Sequence, residues 1–195
     1  MTTLDILLSE LLRLGLHLSN DRLQVLARYI TELEHWNRSM NLTGLAGAVL
    51  IRRLVAEPLW VADRLGPTGR YLDIGSGNGS PAVPWHALCE FHDVVLVESR
   101  QRRATFLHRL AKRLKLKDVT VRLSRFENVC SELESVDWVT LQGVTLTVDL
   151  LEQIRSMNKN ESKIVWLTRA PVVPEKPVVT LDIPDSDRQA LVFRQ

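Results

Sequence analysis

Residues 71–83 read YLDIGSGNGSPAV: a short apolar run ends in Asp73, turns through Gly75, Gly77 and Gly79, and meets Pro81 at the start of a helical stretch. Three glycines at alternate positions between a strand and a helix leave few folds open. They let the backbone bend sharply, and they let a ligand reach main-chain N–H groups that a Cβ would cover. Downstream, Val94–Val97 form a second apolar run that ends in Glu98 and continues into Ser99. An acid about twenty residues after such a turn can accept hydrogen bonds from both ribose hydroxyls of a nucleoside. A glycine triplet alone is equally a ligand-free turn. Paired with an acid at the next strand end, it points to a nucleoside-containing cofactor.

The spacing narrows the choice. The dinucleotide fingerprint needs a glycine at position 80, where this chain has Ser80. The pattern is instead D-x-G-x-G-x-G. Asp73 would repel a pyrophosphate and suits a ligand with a positive end, such as S-adenosylmethionine with its ammonium and sulfonium. Asp73, Gly75, Ser76, Gly77, Gly79, Glu98 and Ser99 are the expected cofactor-binding residues.

The rest of the chain sets the frame. Its 195 residues suit one domain or one domain with an appended layer, and 45% hydrophobic content supports a full core. No apolar run approaches the ~20 residues of a membrane span. The leucine-rich N-terminus carries Asp5 and Glu10 and lacks a basic leader and cleavage site, so a cytoplasmic protein is expected. Cys89 and Cys130 stand alone and read as buried reduced thiols, and the five histidines show no ligand spacing, so no metal is expected.

Helical periods run over 3–15 and again after Ser19, Asn20 and Asp21, whose side chains offer cap oxygens. WNRSMNLTG (36–44) reads as a loop, and 47–65 as helix with Pro58 at a kink or a start. Gly66-Pro67-Thr68-Gly69 separates a helical cap (1–65) from a cofactor-binding core (66–195). Strands are expected near 70–74, 93–98, 119–123, 136–141 and 163–168, and helices near 81–90, 101–115, 126–133 and 147–157. This alternation predicts an α/β, Rossmann-like fold with a mostly parallel sheet, closed by an antiparallel hairpin near 178–193.

Residues 100–117 carry eight Lys or Arg and no acid. Solvated helix faces normally mix both signs, so Arg100, Arg102, Arg103 and Arg109 are candidates for phosphate contact, against simple solvation as the alternative.

The chain resembles the bacterial glucose-inhibited division protein B family, methyltransferases that modify N7 of a guanine in small-subunit ribosomal RNA. The resemblance rests on Trp36, Asn37, Asn41, Leu42 and Thr43 in the cap. It continues through Asp73, Gly75, Ser76, Gly77, Gly79, Pro81 and Pro84, then Arg102, Arg103, Phe106 and Leu107, and finally Ser124, Arg125, Phe126 and Glu127. It implies a class I methyltransferase fold with S-adenosylmethionine as cofactor. Gly75, Ser80, Phe126, Glu127 and Gln142 would contact the cofactor, with Glu98 on the ribose. Arg53 and Arg125 join the basic helix as expected RNA contacts, and Gln142 and Arg53 are the expected positioning residues. The partner would be 16S ribosomal RNA or the small ribosomal subunit, the state a monomer.

The chain departs from the family pattern at Leu54 and Pro58, where histidine and serine are expected. It departs again at Gln142, in place of an arginine, and at Thr168-Arg169, in place of lysine–glycine. Two alternatives therefore stand beside methyl transfer to rRNA: a cofactor-binding relative without catalysis that serves as an RNA- or ribosome-binding module, and a methyltransferase for another substrate.

Overall fold

A computed structural model describes residues 2–157, 162–169 and 172–194. Seven strands form one sheet in the order β3-β2-β1-β4-β5-β7-β6. β1 (Gly69–Ile74), β2 (Phe91–Glu98), β3 (Val119–Leu123), β4 (Trp138–Gln142) and β5 (Lys163–Thr168) run parallel. β6 (Val179–Asp182) and β7 (Gln189–Arg194) form the hairpin, and β7 adds antiparallel to β5. The five parallel strands, the mixed α/β layering and the terminal hairpin are those the sequence predicts.

Between the strands lie α5 (Ala82–Leu88), α6 (Gln101–Leu114), α7 (Phe126–Val129) and α8 (Val148–Met157), preceded by four cap helices. The helix expected near 126–133 is shorter: α7 stops at Val129, and Cys130–Glu132 continue as a single 3-10 turn. Side chains alternate across the sheet and bury two cores. Tyr71, Val165, Leu167 and Val192 face α5, α6 and the cap. Leu72, Ile74, Ile164, Trp166 and Phe193 face α8. The first core is continuous from Leu7 and Leu11 through Tyr29 to Trp85 and the sheet.

In the cap, α1 (Thr3–Arg13) is held by a capping box in which Thr2 and Asp5 exchange side-chain and backbone bonds. α2 (Asn20–Met40) starts after Ser19, whose hydroxyl makes no capping bond. The loop expected over 36–44 is a correction: α2 runs on to Met40. Asn41 closes it in the left-handed conformation, φ 50°, which asparagine tolerates. Asn37 stays helical and clamps the chain that follows. Its Nδ2 donates to the Thr43 carbonyl, and its Oδ1 accepts from the Thr43 N–H, both at 2.9 Å. The asparagines that suggest a loop are thus a cap and a clamp.

Residues 47–65 are helical throughout. α3 (Gly47–Ile51) passes through a wide turn, Arg52–Ala56, into α4 (Glu57–Leu65). The Glu57 N–H reaches back five residues to the Arg52 carbonyl, and Pro58, which has no N–H to give, sits in the first turn of α4. Pro58 is therefore a helix start. Its carbonyl accepts from the Trp85 indole at 3.0 Å, fastening the cap to α5.

The hairpin tip makes the second fastening. Glu57 is 1% exposed. One of its oxygens accepts from Arg188 Nη1 at 3.1 Å and the other from Ser186 Oγ at 2.9 Å. Arg188 also donates to the Arg53 carbonyl at 3.1 Å. Removing one partner of a buried pair strands the other charge. Glu57→Ala should therefore destabilise by about 3–5 kcal/mol. Glu57→Leu with Arg188→Met should recover most of that loss. Urea denaturation midpoints of the three proteins check both statements.

Candidate functional site

β1 ends at Ile74, and the chain bends back over the carboxyl ends of β1 and β2. The Gly75 and Ser76 N–H groups both donate to the Val97 carbonyl, at 2.8 and 3.1 Å. The bend is tight: Gly75, Gly77 and Gly79 all have positive φ. A Cβ on Gly75 would run into Val144 Cγ2, and one on Gly79 would press on Leu110, Val83 and Tyr29. The glycines thus serve close approach as well as backbone shape.

Two acids lie under this bend in contrasting surroundings. Glu98 points into it. Its Oε2 accepts the Gly77 N–H at 3.0 Å, and its Oε1 accepts the Arg100 N–H at 2.7 Å. Each oxygen keeps a second lone pair for a further donor. Asp73 is 1% exposed on the cap side of the sheet. Thr140 Oγ1 donates to its Oδ1 at 2.6 Å, so the Tyr71 hydroxyl, also 2.6 Å from Thr140, donates in turn to Thr140. Oδ2 has no hydrogen-bond partner. Burial, aided by the Glu98 charge and opposed by the Thr140 and Ser76 bonds, pushes the Asp73 carboxyl up to about 7.

Two cavities flank the bend. The larger, about 540 Å³, lies between the ends of β1, β4 and β5 and a roof made by the cap and the hairpin. Gly75, Ser76, Gly77 and Ser80 line it from the turn, with Gln142 from β4 and Arg53 from the cap. Its lining includes four arginines, Arg53, Arg103, Arg169 and Arg188, and no carboxylate. The smaller, about 230 Å³, is lined by Ser99, Arg125, Phe126 and Glu127. Gly75 and Val144 line both. Asp73, Gly79 and Glu98 line neither cavity: Glu98 accepts from Gly77, which lines the larger one, and Gly79 is packed under Tyr29.

The basic helix divides its charges. Arg102 Nη2 donates to the Ser39 carbonyl at 2.8 Å, Arg109 lies over the Trp36 ring at 5.0 Å, and Arg113 pairs with Glu32 at 2.8 Å. These three join α6 to α2. Arg103 turns toward Gly77, while Arg100 stays on the surface.

Sequence reasoning missed Arg188, Val144 and Trp166 as wall residues, and the partnership of Glu57, Ser186 and Asp187 with Arg53. Ser186 and Asp187 read as ordinary turn residues of the hairpin, and nothing local marks them or Arg188. Both cysteines are free thiols, as expected, and half-buried where the sequence reading has them buried; burial pushes the Cys89 thiol up to about 12. Among the described residues, no group of acids, histidines and cysteines could hold a metal, and no helix is long and apolar enough to cross a membrane.

The parallel strand order, the glycine bend after β1 and the acid at the end of β2 define a Rossmann-like methyltransferase, the class built around an S-adenosylmethionine site. Two solved structures share this fold. A methyltransferase from Geobacter sulfurreducens superposes with a TM-score of 0.61 at 13% identity, over 86% of this chain and 90% of that one. A SAM-dependent methyltransferase from Aquifex aeolicus gives 0.55 at 14%, over 71% and 89%. Residues 22–170 match the GidB family, rRNA small subunit methyltransferase G, and the chain belongs to that family.

Curated relatives agree. "Ribosomal RNA small subunit methyltransferase G" of Roseiflexus castenholzii is 36% identical over 74% of this chain and 66% of its own length. The protein of the same name from Acinetobacter baumannii is 33% identical over 78% and 73%. That from Acinetobacter baylyi is 31% identical over 93% and 92%.

The residues present fit the cofactor. An elongated nucleoside with an amino-acid tail matches two cavities that meet over Gly75, and Asp73, two residues before that glycine, holds an unpartnered buried acceptor in Oδ2. Asp73 also supplies a signed test. Its carboxyl holds its proton more tightly folded than unfolded, so its contribution to stability is fully present below about pH 4 and is lost as pH rises to about 7. Asp73→Asn removes that loss. The variant should be more stable than the parent at pH 8, by on the order of a few kcal/mol, and gain little at pH 4, as read by urea midpoints at the two values.

Proposed function

We propose that this chain transfers a methyl group from S-adenosylmethionine to N7 of a guanine in 16S ribosomal RNA, on free RNA or on the small subunit, acting as a monomer in the cytoplasm. The observation that carries the reading is the larger cavity: it adjoins the cofactor turn, and its lining includes four arginines and no carboxylate, with Asp187 and Glu57, which pair with three of those arginines, outside the lining. A cavity of that charge suits an anionic substrate.

When bound, S-adenosylmethionine supplies an activated methyl group on a sulfonium. Glu98 would take the ribose with its spare lone pairs, with Ser99 beside it, and Phe126 and Glu127 would border the adenine. The turn, Asp73 and Ser80 receive the amino-acid end. Guanine N7 presents a lone pair and has no proton to lose. Transfer to it would form an N–C bond as the donor's C–S bond breaks, with sulfur keeping the electron pair. No side chain must act as a base, so the task of the protein is alignment, which can supply ~7–11 kcal/mol of a barrier. Gln142, 3.4 Å from the Ser80 hydroxyl, and Arg53 are the positioning residues.

The cap, residues 1–65, acts as the roof of the substrate cavity, and residues 66–195 as the cofactor core. Arg100, Arg103 and Arg125 meet RNA phosphate. Arg102 and Arg109 support that surface while they hold α6 to α2.

Incubation of undermethylated small subunits with methyl-labelled cofactor tests the proposal, with the modified base mapped by chemical cleavage at 7-methylguanine. Label at one guanine is expected. Cofactor binding without transfer would sink it in favour of the RNA-binding module, and transfer to another atom would change the reaction assigned. Two further outcomes are expected. Glu98→Ala should weaken cofactor binding about tenfold or more, read by calorimetry, because charge-assisted hydrogen bonds contribute about 1.5–3 kcal/mol. Binding of the cationic cofactor near pH 6.5 should release a proton in the parent but not in Asp73→Asn, read as buffer-dependent binding heat. A nearby ammonium draws off the proton that burial now retains.

A further inference from the structure

The roof of the larger cavity already holds an anion. Arg53 comes from the wide turn of the cap, Arg169 from the end of β5, and Asp187 from the hairpin tip. Arg53 Nη2 is paired with Asp187 Oδ1, and Arg169 Nε lies 3.3 Å from Asp187 Oδ2. One carboxylate thus bridges two guanidiniums, an oxygen to each. The two free oxygens of a phosphodiester present the same charge and a similar fork.

Asp187 is not needed to join hairpin and cap. The buried contacts of Glu57 with Arg188 and Ser186 make that joint. The Asp187 side chain is 56% exposed, with partners Arg169 at 67% and Arg53 at 17%, and a carboxylate this open to water contributes little to stability. Arg53 has other supports as well. Its Nη1 donates to Ser186 Oγ at 3.0 Å and lies 3.4 Å from Glu57 Oε1, so its guanidinium stays in place when Asp187 leaves. The Arg53 hydrogen bond, helped by the Arg169 charge, holds the Asp187 carboxyl below the usual range and so keeps it anionic. An exposed carboxylate that adds little to the fold, yet neutralises two arginines lining a substrate cavity, has the position of a stand-in.

We propose that Arg53 and Arg169 form a seat for one backbone phosphate of the RNA substrate, and that Asp187 occupies this seat until RNA displaces it. The proposal rests on the RNA reading above. The cofactor carboxylate is the lesser fit, because the glycine turn that receives it lies at the floor of the cavity and this pair lies at its open roof.

The stand-in role reverses the sign expected of a structural residue. Asp187→Asn keeps the size of the side chain and removes the competing anion. It should bind an unmodified small-subunit rRNA transcript about threefold to fivefold more tightly than the parent at low salt. The plot of log affinity against log salt should steepen by about one. Arg169→Gln should weaken the same binding about fivefold with cofactor affinity unchanged, and should cancel the gain when combined with Asp187→Asn. Inorganic phosphate is the second probe: it should raise the thermal midpoint of Asp187→Asn and leave that of Arg169→Gln where it was. Weakened or unaltered RNA affinity in Asp187→Asn overturns the seat, as does an effect of Arg169→Gln on cofactor instead of RNA, or failure of all three proteins to bind the transcript. Should Asp187→Asn not fold, the exposed Arg169→Gln still decides. Tighter RNA binding without methyl transfer leaves the seat standing and removes the guanine reading. Transfer without tighter binding removes the seat alone.

Discussion

Two hydrogen-bond donors from the far end of the chain and one nearby arginine converge on the Glu57 carboxylate. Arg53 approaches from one turn earlier, Ser186 and Arg188 from the last ten residues, and the acid itself is 1% exposed. A carboxylate so buried is tolerable only when its lone pairs are filled, and here hydroxyl and guanidinium fill them. The consequence is geometric. The first and last parts of the chain close over the carboxyl ends of β1, β4 and β5, and a crevice common to doubly wound sheets becomes a roofed cavity. Without that closure, Arg53 and Arg188 would not share a wall with the glycine turn.

The floor of the site depends on two carboxylates treated in opposite ways. Glu98 is satisfied by two backbone N–H groups, so it braces the bend and still offers lone pairs to a ligand. Asp73 has the Thr140 hydroxyl on Oδ1 and no partner on Oδ2, and burial pushes its carboxyl up to about 7. The difference comes from position. Glu98 ends a strand beside a turn whose amides point inward. Asp73 sits mid-sheet between Leu96 and Thr140 on the neighbouring strands, where backbone N–H groups are used by the ladder and only side chains can reach it. A site with one fixed anion and one readily charged acid is suited to a ligand that brings its own positive charge.

Much of the fold was legible. The five parallel strands are short apolar runs between polar turns, and the amphipathic period of α6 marks its buried stripe of Phe106, Leu107, Leu110 and Leu114. The glycine turn and Glu98 stand out in the sequence as a candidate site because their spacing along the chain is itself the constraint. Legibility failed where one residue type serves two structures. Asn37 and Asn41 look like loop formers, yet one clamps from within a helix and the other ends it. The basic helix was half legible: its charge was plain, but the cation–π contact of Arg109 with Trp36 and the bond of Arg102 to Ser39 join residues more than sixty positions apart.

What the sequence determined by itself is local in origin. Strand and helix alternation, the bend after Asp73 and the acid at the next strand end follow from side-chain period, glycine spacing and the excess of basic residues in one helix. What only the tertiary structure decided is which charges meet. Arg53, Glu57, Arg169 and the hairpin tip are brought together by the sheet order that places β7 beside β5 and by a wide helical turn that faces Arg53 inward. Electrostatic pairing depends on distance in space, and Arg53 and Glu57 lie 129 or more residues from the Ser186 and Arg188 they meet, a separation that leaves no trace in the local pattern of either partner.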